Sequence, residues 1–371
     1  MLLRYFGHGA ILRRGVPTDR ISRMNKGVVR VSITDFLAAL PGAVCLDVRS
    51  PGEFAAGHLP GAESFPIFSD AERALVGTAY KQESANKALE LGLLYVGPKM
   101  PAFVREARRL SAGKPLLMYC WRGGQRSAAM AWLLSQAGLD VLLLEGGYKA
   151  WRQYAHQLFE QKWLLRVVGG FTGAGKTETL VHLQKLGAQV LDLEALAKHK
   201  GSAFGGMAHV PQPTNEHFIN LMAMHLLSLD PNQWVWVEDE SRMIGSINLP
   251  VPFYQQMEAA PCYLLEVSIK RRIQRLLAEY GRAKSDVLQQ NFVRIGKKIG
   301  GQQVNVAIQA LQEGDLTTAA SIALRYYDKA YELDLKAKNP SQICVVVAAQ
   351  EEAYSYAQKL IQLTTEPHEY A

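Results

Sequence analysis

The chain has 371 residues, of which 48% are hydrophobic and 20% charged. That composition suits a folded protein of roughly two or three domains and excludes disordered, collagen-like and disulfide-scaffold classes. The formal charge is +7, and the longest uninterrupted apolar runs are seven residues, Ala128 to Leu134 and Ile343 to Ala349, far short of the roughly 20 that a membrane-spanning helix needs. From residue 31 onward, short apolar runs alternate with helical stretches. VCLDV (44–48) and PLLMYC (115–120) read as strands, SAAMAWLLSQAG (127–138) as a helix closed by Gly138, and DVLLLEGG (140–147) as the next strand. WRQYAHQLFEQKW (151–163) reads as a connecting helix. A second series follows with LLRVVGG (164–170), AQVLDLE (188–194), QWVWVEDE (233–240) and CYLLEVSI (262–269). The pattern is then helical until a last strand, ICVVVAA (343–349). Alternation of this kind predicts two α/β domains with mostly parallel sheets, the second with a helical C-terminal part.

The charge is unevenly placed. Residues 1–30 hold seven bases (Arg4, Arg13, Arg14, Arg20, Arg23, Lys26, Arg30) and one acid, Asp19. Residues 270–298 hold nine bases and two acids, so the remainder is acidic. An acidic body with basic segments predicts a polyanionic partner. The first segment lacks periodicity and reads as a basic arm, or as sequence upstream of a start at Met24. No apolar leader follows its arginines, so no secretory signal is expected. The four cysteines, Cys45, Cys120, Cys262 and Cys344, form no C-x-x-C pair, which suits a reducing, cytoplasmic setting.

Cys120 differs from the other three. In MYCWRGGQRSAAMAWLL it stands at a strand end, before a glycine-containing loop and a helix start. Such a loop turns its amides inward as an anion nest, and the helix N-terminus adds about half a positive charge. Arg122 and Arg126 bring full charges, Gly123 and Gly124 let the backbone curl, Gln125 completes the loop, and Ser127 is placed to cap the helix and donate to sulfur. All of this favours negative charge at Cys120. The spacing from Cys120 to Arg126 is C-x5-R. It suits a phosphatase nucleophile, and equally a cysteine that takes a chalcogen from a phosphate-bearing donor.

In VVGGFTGAGKTETL, Gly170, Gly173, Gly175, Lys176 and Thr177 form G-x-x-x-x-G-K-T between a strand and a helix. That is a P-loop: amides cradle a diphosphate, Lys176 reaches its oxygens and Thr177 faces Mg²⁺. Glu238 and Asp239, at the end of QWVWVEDE, are the expected magnesium holders. ATP is the default occupant, and any diphosphate ester with Mg²⁺ meets the same requirement. Lys270, Arg271, Arg272, Arg275, Arg294, Lys297 and Lys298 are the candidate contacts to nucleic-acid phosphates.

DVRSPGEFAAGHLPGAESFP (47–66), CWRGGQRS and EGGYKAWR (145–152) together resemble the rhodanese family, in the family's order. The resemblance implies that Cys120 carries sulfur or selenium, with Asp47, Arg49 and Glu53 bracing the loop. With GTAYKQ (77–82), GGFTGAGKT, HKGSAFG (199–205), EDESRMIG (238–245) and YYDKAY (326–331), the chain as a whole resembles the bacterial tRNA 2-selenouridine synthase family. This implies a rhodanese-like domain at 31–155 and a P-loop NTPase-like α/β domain with a tRNA-binding helical region at 156–371, while the basic arm at 1–30 lies outside the resemblance. It also implies a cytoplasmic tRNA-modifying transferase acting on 2-thiouridine at the wobble position. Geranyl diphosphate would alkylate the sulfur, and selenium from selenophosphate would then replace it. The expected partners are such a tRNA and an enzyme that makes selenophosphate, with no membrane. The rival readings are a rhodanese-like sulfur carrier and a cysteine phosphatase fused to an ATPase module.

Overall fold

The computed structural model describes residues 27–200, 211–281 and 285–365. The expected basic arm up to residue 26, residues 201–205 of HKGSAFG, Arg282 and Lys284 lie outside the described residues. Two compact units divide the chain. One comprises the segment up to Phe159 with Glu216–Asp230, the other Glu160–Asn215 with Pro231–Ala371.

The first unit is built on five parallel strands: β1 (Val28–Val31), β2 (Val44–Asp47), β3 (Glu63–Ser64), β4 (Leu116–Tyr119) and β5 (Val141–Leu144). Their order is β1-β5-β4-β2-β3. β4 (LLMY) and β5 (VLLL) are buried at every position, the signature of strands covered on both faces. The sheet already begins at Val28, inside the stretch assigned to the basic arm. Three valines in VVRV pair there with β5, Val28 opposite Val141, because β-branched side chains suit a pleated surface. The core gathers Leu46, Val48, Phe65, Met118, Met130 and Leu134.

The helix Asn215–Leu226 belongs, from Glu216 on, to this unit although strands of the other sheet flank it in sequence. It buries Phe218, Ile219, Asn220, Met222, Ala223 and Leu226. Asn220 is fully buried and fully satisfied. Its Oδ1 accepts from Trp151 Nε1 at 3.0 Å and from Arg152 at 2.6 Å. Its Nδ2 donates to the His58 carbonyl at 2.9 Å and to the Tyr148 hydroxyl at 2.6 Å. A buried amide with every valence used fixes one docking register.

The second unit holds β6 (Leu165–Gly169), β7 (Gln189–Leu191), β8 (Val235–Glu238), a short antiparallel pair β9 (Met243–Ile244) and β10 (Ile247–Asn248), β11 (Cys262–Leu265) and β12 (Ile343–Val346). The five-stranded sheet runs β12-β11-β6-β8-β7, every pair parallel. Between β11 and β12 come four helices, Ile269–Tyr280, Ser285–Ile299, Gly301–Gln312 and Leu316–Ala337. The last three share an apolar core that includes Phe292, Ile295, Ala307 and Ile322. The architecture is therefore α/β, with two parallel sheets and a helical C-terminal part. Among the described residues no helix is long and apolar enough to cross a membrane.

Candidate functional site

Each sheet carries a loop at the C-terminal end of an inner strand, where α/β folds place their ligands. In the first unit, Cys120 follows β4 and is 3% exposed. Ser127, in the first turn of the helix Gln125–Gln136, donates its hydroxyl to Cys120 Sγ at 3.1 Å. The segment after β5 supports the loop from behind. Tyr148 N donates to the Cys120 carbonyl at 2.8 Å and Lys149 N to the Trp121 carbonyl at 2.9 Å. Gly147 has φ +60°, and a Cβ there would fall on that Cys120 carbonyl. The close approach explains the second glycine of EGGYKA.

The loop's two arginines have different surroundings. Arg122 is exposed. Arg126 is paired with Glu53 at 2.7 Å. Burial pushes the Glu53 carboxyl up, but the hydrogen bond and charge of Arg126 outweigh it and hold the group below its ordinary value. Glu53 also accepts from Ser50 N as part of a capping box that starts the helix Pro51–Ala56. Gly123 is buried and accepts from Arg30 at 3.3 Å, whereas Gly124 and Gln125 are exposed. Arg49 and Asp47 form a buried ion pair at 2.6 Å, with the guanidinium 3.8 Å from the Tyr148 ring centre. Asp47, Arg49, Glu53 and Arg126 are thus tied to one another in ion pairs beside the loop.

In the second unit the P-loop follows β6. Gly173 has φ +80°, and a Cβ there would press to 3.0 Å on the Arg272 carbonyl. Lys176 Nζ donates to the Gly170 carbonyl at 3.0 Å, and Thr177 donates to Glu194 Oε2 at 3.0 Å. Gly170, Gly173, Gly175, Lys176, Thr177 and Glu194 line a cavity of about 870 Å³. Glu238 ends β8 fully buried. One of its oxygens accepts from Glu194 N at 3.0 Å, and the other has no hydrogen-bond partner. Burial raises the carboxyls of Glu194, Glu238 and Glu240, the last to about 8, and neighbouring carboxylates add to the rise. At Glu194, Lys176 and Thr177 offset part of it.

Asp239, expected beside Glu238 as a magnesium holder, lines the P-loop cavity with its oxygens engaged by other side chains. Its oxygens accept from Tyr331 at 2.7 Å and from Lys338 at 2.6 Å. Tyr331 in turn accepts from Gly170 N at 2.9 Å. Asp239, the residue after β8, thus braces the P-loop through Tyr331 while itself lining the P-loop cavity. Of the oxygen donors that suit Mg²⁺, the Thr177 hydroxyl and Glu194 line the cavity, and the unpartnered oxygen of Glu238 is buried outside its lining. That is a hard-oxygen set of the kind the ion supplements with water and phosphate oxygens. No group of three or more His, Cys, Asp and Glu among the described residues makes a protein-only cage.

The basic segment also divides. Arg272 is 5% exposed, bonded twice to Asp328 at 2.7 Å and to the Thr172 carbonyl at 3.2 Å. Arg275 donates to the Ala174 carbonyl at 2.5 Å and to the Glu351 carbonyl at 2.8 Å. Both hold the P-loop, so neither stands on an open basic face. Arg271 is paired with Glu352. Lys270, Arg294, Lys297 and Lys298 are exposed. Sequence reasoning missed Glu194, Lys338 and the P-loop role of Arg272 and Arg275. Asp328 and Tyr331 lie in YYDKAY, a string that signalled family likeness without a role.

Residues 164–363 match the family described as "tRNA 2-selenouridine synthase AAA domain", and residues 33–154 match the "Rhodanese-like domain". A protein of Shewanella woodyi named tRNA 2-selenouridine synthase is 34% identical over 81% of this chain and 90% of its own length. Proteins of the same name from Ectopseudomonas mendocina and Nitrosomonas europaea are 35% and 39% identical. They cover 79% and 66% of this chain and 87% and 64% of their own.

Proposed function

Because the chain belongs to the tRNA 2-selenouridine synthase family, we propose that it makes 2-selenouridine from wobble 2-thiouridine in two transfers, one at each loop. In the first, the thiocarbonyl sulfur attacks carbon 1 of geranyl diphosphate. A C–S bond forms, the C–O bond breaks, diphosphate departs and the base gives up its N3 proton to water. Lys176 and the P-loop amides take up the charge that grows on the leaving group, and Thr177 with Glu194 and Glu238 would hold Mg²⁺, which supplies further charge neutralisation. In the second, selenium from selenophosphate bonds to carbon 2 of the base. The alkylated sulfur leaves as geranyl thiol, and water takes the phosphoryl group as phosphate. Alkylation matters because sulfur leaves far more readily as a thiol than from a thiocarbonyl.

Cys120 is the group that handles selenium, and its loop amides with Arg122 hold the donor's phosphate. The observation that carries this reading is Cys120 itself: a strand-end sulfur held by Ser127 at 3.1 Å inside an amide loop, on a chain of this family. Exposed Lys270, Arg294, Lys297 and Lys298 receive tRNA phosphates, which position the RNA while the base is read elsewhere. The reading is tested by mass spectrometry of tRNA nucleosides after incubation with both donors. Wild type yields 2-selenouridine, whereas Cys120→Ala stops at the geranylated base. Selenation by the variant would remove Cys120 from the reaction.

A further inference from the structure

A second cavity, apolar and smaller at about 70 Å³, lies within the same unit. Leu288, Phe292 and Leu311 wall one part of it, and Ala319, Ala320 and Ala323 another. The three alanines sit at i, i+1 and i+4 on the helix Leu316–Ala337, hence on neighbouring faces. Their short side chains leave open a slot that leucines would close. Thr172, Leu276 and Tyr327 line both this slot and the P-loop cavity, so the two spaces share a wall beside the phosphate loop.

The same helix reaches the loop further along. Asp328 holds Arg272, which bonds the Thr172 carbonyl, and Tyr331 accepts from Gly170 N. From Ala320 to Tyr331 the helix rises about 16 Å, at roughly 1.5 Å per residue. One rigid element therefore carries the slot at one end and the phosphate loop's brace at the other.

We infer that this slot receives the hydrocarbon tail of a diphosphate ester whose phosphates lie on the P-loop, and that Ala320 and its neighbours set the length of chain accepted. The inference rests on the reading of the P-loop as a diphosphate-ester site and adds the subsite that chooses the ester. Polarity argues for it. A purine brings hydrogen-bonding edges, and buried edges without partners weaken binding. Beyond Thr172 and Tyr327 at the junction, the slot is lined by hydrocarbon and one glycine. A tail instead gains about fourfold in affinity for each methylene buried.

The test is equilibrium binding of geranyl diphosphate, inorganic diphosphate and ATP to the full chain and its variants. For Ala320→Phe, which fills the slot, inorganic diphosphate should bind as to wild type. Geranyl diphosphate should lose at least tenfold and approach the affinity of inorganic diphosphate. Ala320→Val should show the same selective loss in smaller degree, and it decides the matter if phenylalanine disturbs the loop and inorganic diphosphate no longer binds. Lys176→Ala should lose all three ligands. If Ala320→Phe and Ala320→Val bind geranyl diphosphate like wild type while Lys176→Ala does not, the tail lies elsewhere and only this inference falls. If Lys176→Ala keeps geranyl diphosphate, the P-loop reading fails and takes the inference with it. Loss of ATP binding by Ala320→Phe in equal measure would assign the slot to a base and overturn the proposal.

Discussion

The Cys120 loop and the P-loop use one backbone device for different ends. Both follow an inner strand of a five-stranded parallel sheet and both lead into a helix, so both offer inward amides and a helix N-terminus. The first surrounds a sulfur, and its closing arginine is already committed to Glu53. The second surrounds an ammonium group, with buried carboxyls around it and two arginines gripping its backbone. The contrast teaches that such a loop supplies anion affinity in general, while the side chains around it decide which anion and which reaction.

The largest effect that would break this comparison is at Lys176. Lys176→Ala should lower geranylation at least a hundredfold, as loss of a transition-state charge contact does, read by product formation from labelled geranyl diphosphate. Next is the buried pair behind the P-loop. Asp328→Ala strands the Arg272 charge, an uncompensated buried charge of the kind that costs about 3–5 kcal/mol. Denaturant unfolding should show that loss, and diphosphate binding should weaken with it. A stability equal to wild type would mean the P-loop does not depend on this pair.

A smaller effect separates the two units by acid sensitivity. The Glu53 carboxyl is held below its ordinary value of 4.5. Its contribution to stability is therefore complete above 4.5 and fades as pH falls through the lowered value. Glu53→Gln should remove that component, on the order of 1 kcal/mol for a partly exposed pair, and flatten the acid limb of an unfolding-versus-pH series. The smallest expected change is at the exposed lysines. Replacing Lys297 and Lys298 with Gln should reduce the salt slope of tRNA binding by about 1.4–1.8 and leave diphosphate binding unchanged. An unaltered slope would move the RNA contact elsewhere.

Both loops were legible in the sequence because each is a contiguous string with its own spacing, and the strands because they are continuous apolar runs. What was not legible is what comes from afar. Glu238 and Asp239 are adjacent letters, yet one faces the P-loop's acids and the other meets Tyr331 and Lys338 from the distant end of a helix. Counting charge grouped Arg272 and Arg275 with Lys297 and Lys298, although only the first two meet backbone carbonyls of the P-loop. The helix Asn215–Leu226 reads as amphipathic in either unit. The hydrogen bonds of Asn220 and Glu216 to Trp151, Arg152, Tyr148 and His58 fix it in the first.

The division of labour between the loops is tested most directly by giving Lys176→Ala a tRNA whose wobble base is already geranylated, together with selenophosphate. Lys176→Ala should make 2-selenouridine at the wild-type rate, since the alkylating loop has been bypassed, and Cys120→Ala should make none under the same conditions. Failure of Lys176→Ala to selenate this substrate would contradict the assignment of one transfer to each loop.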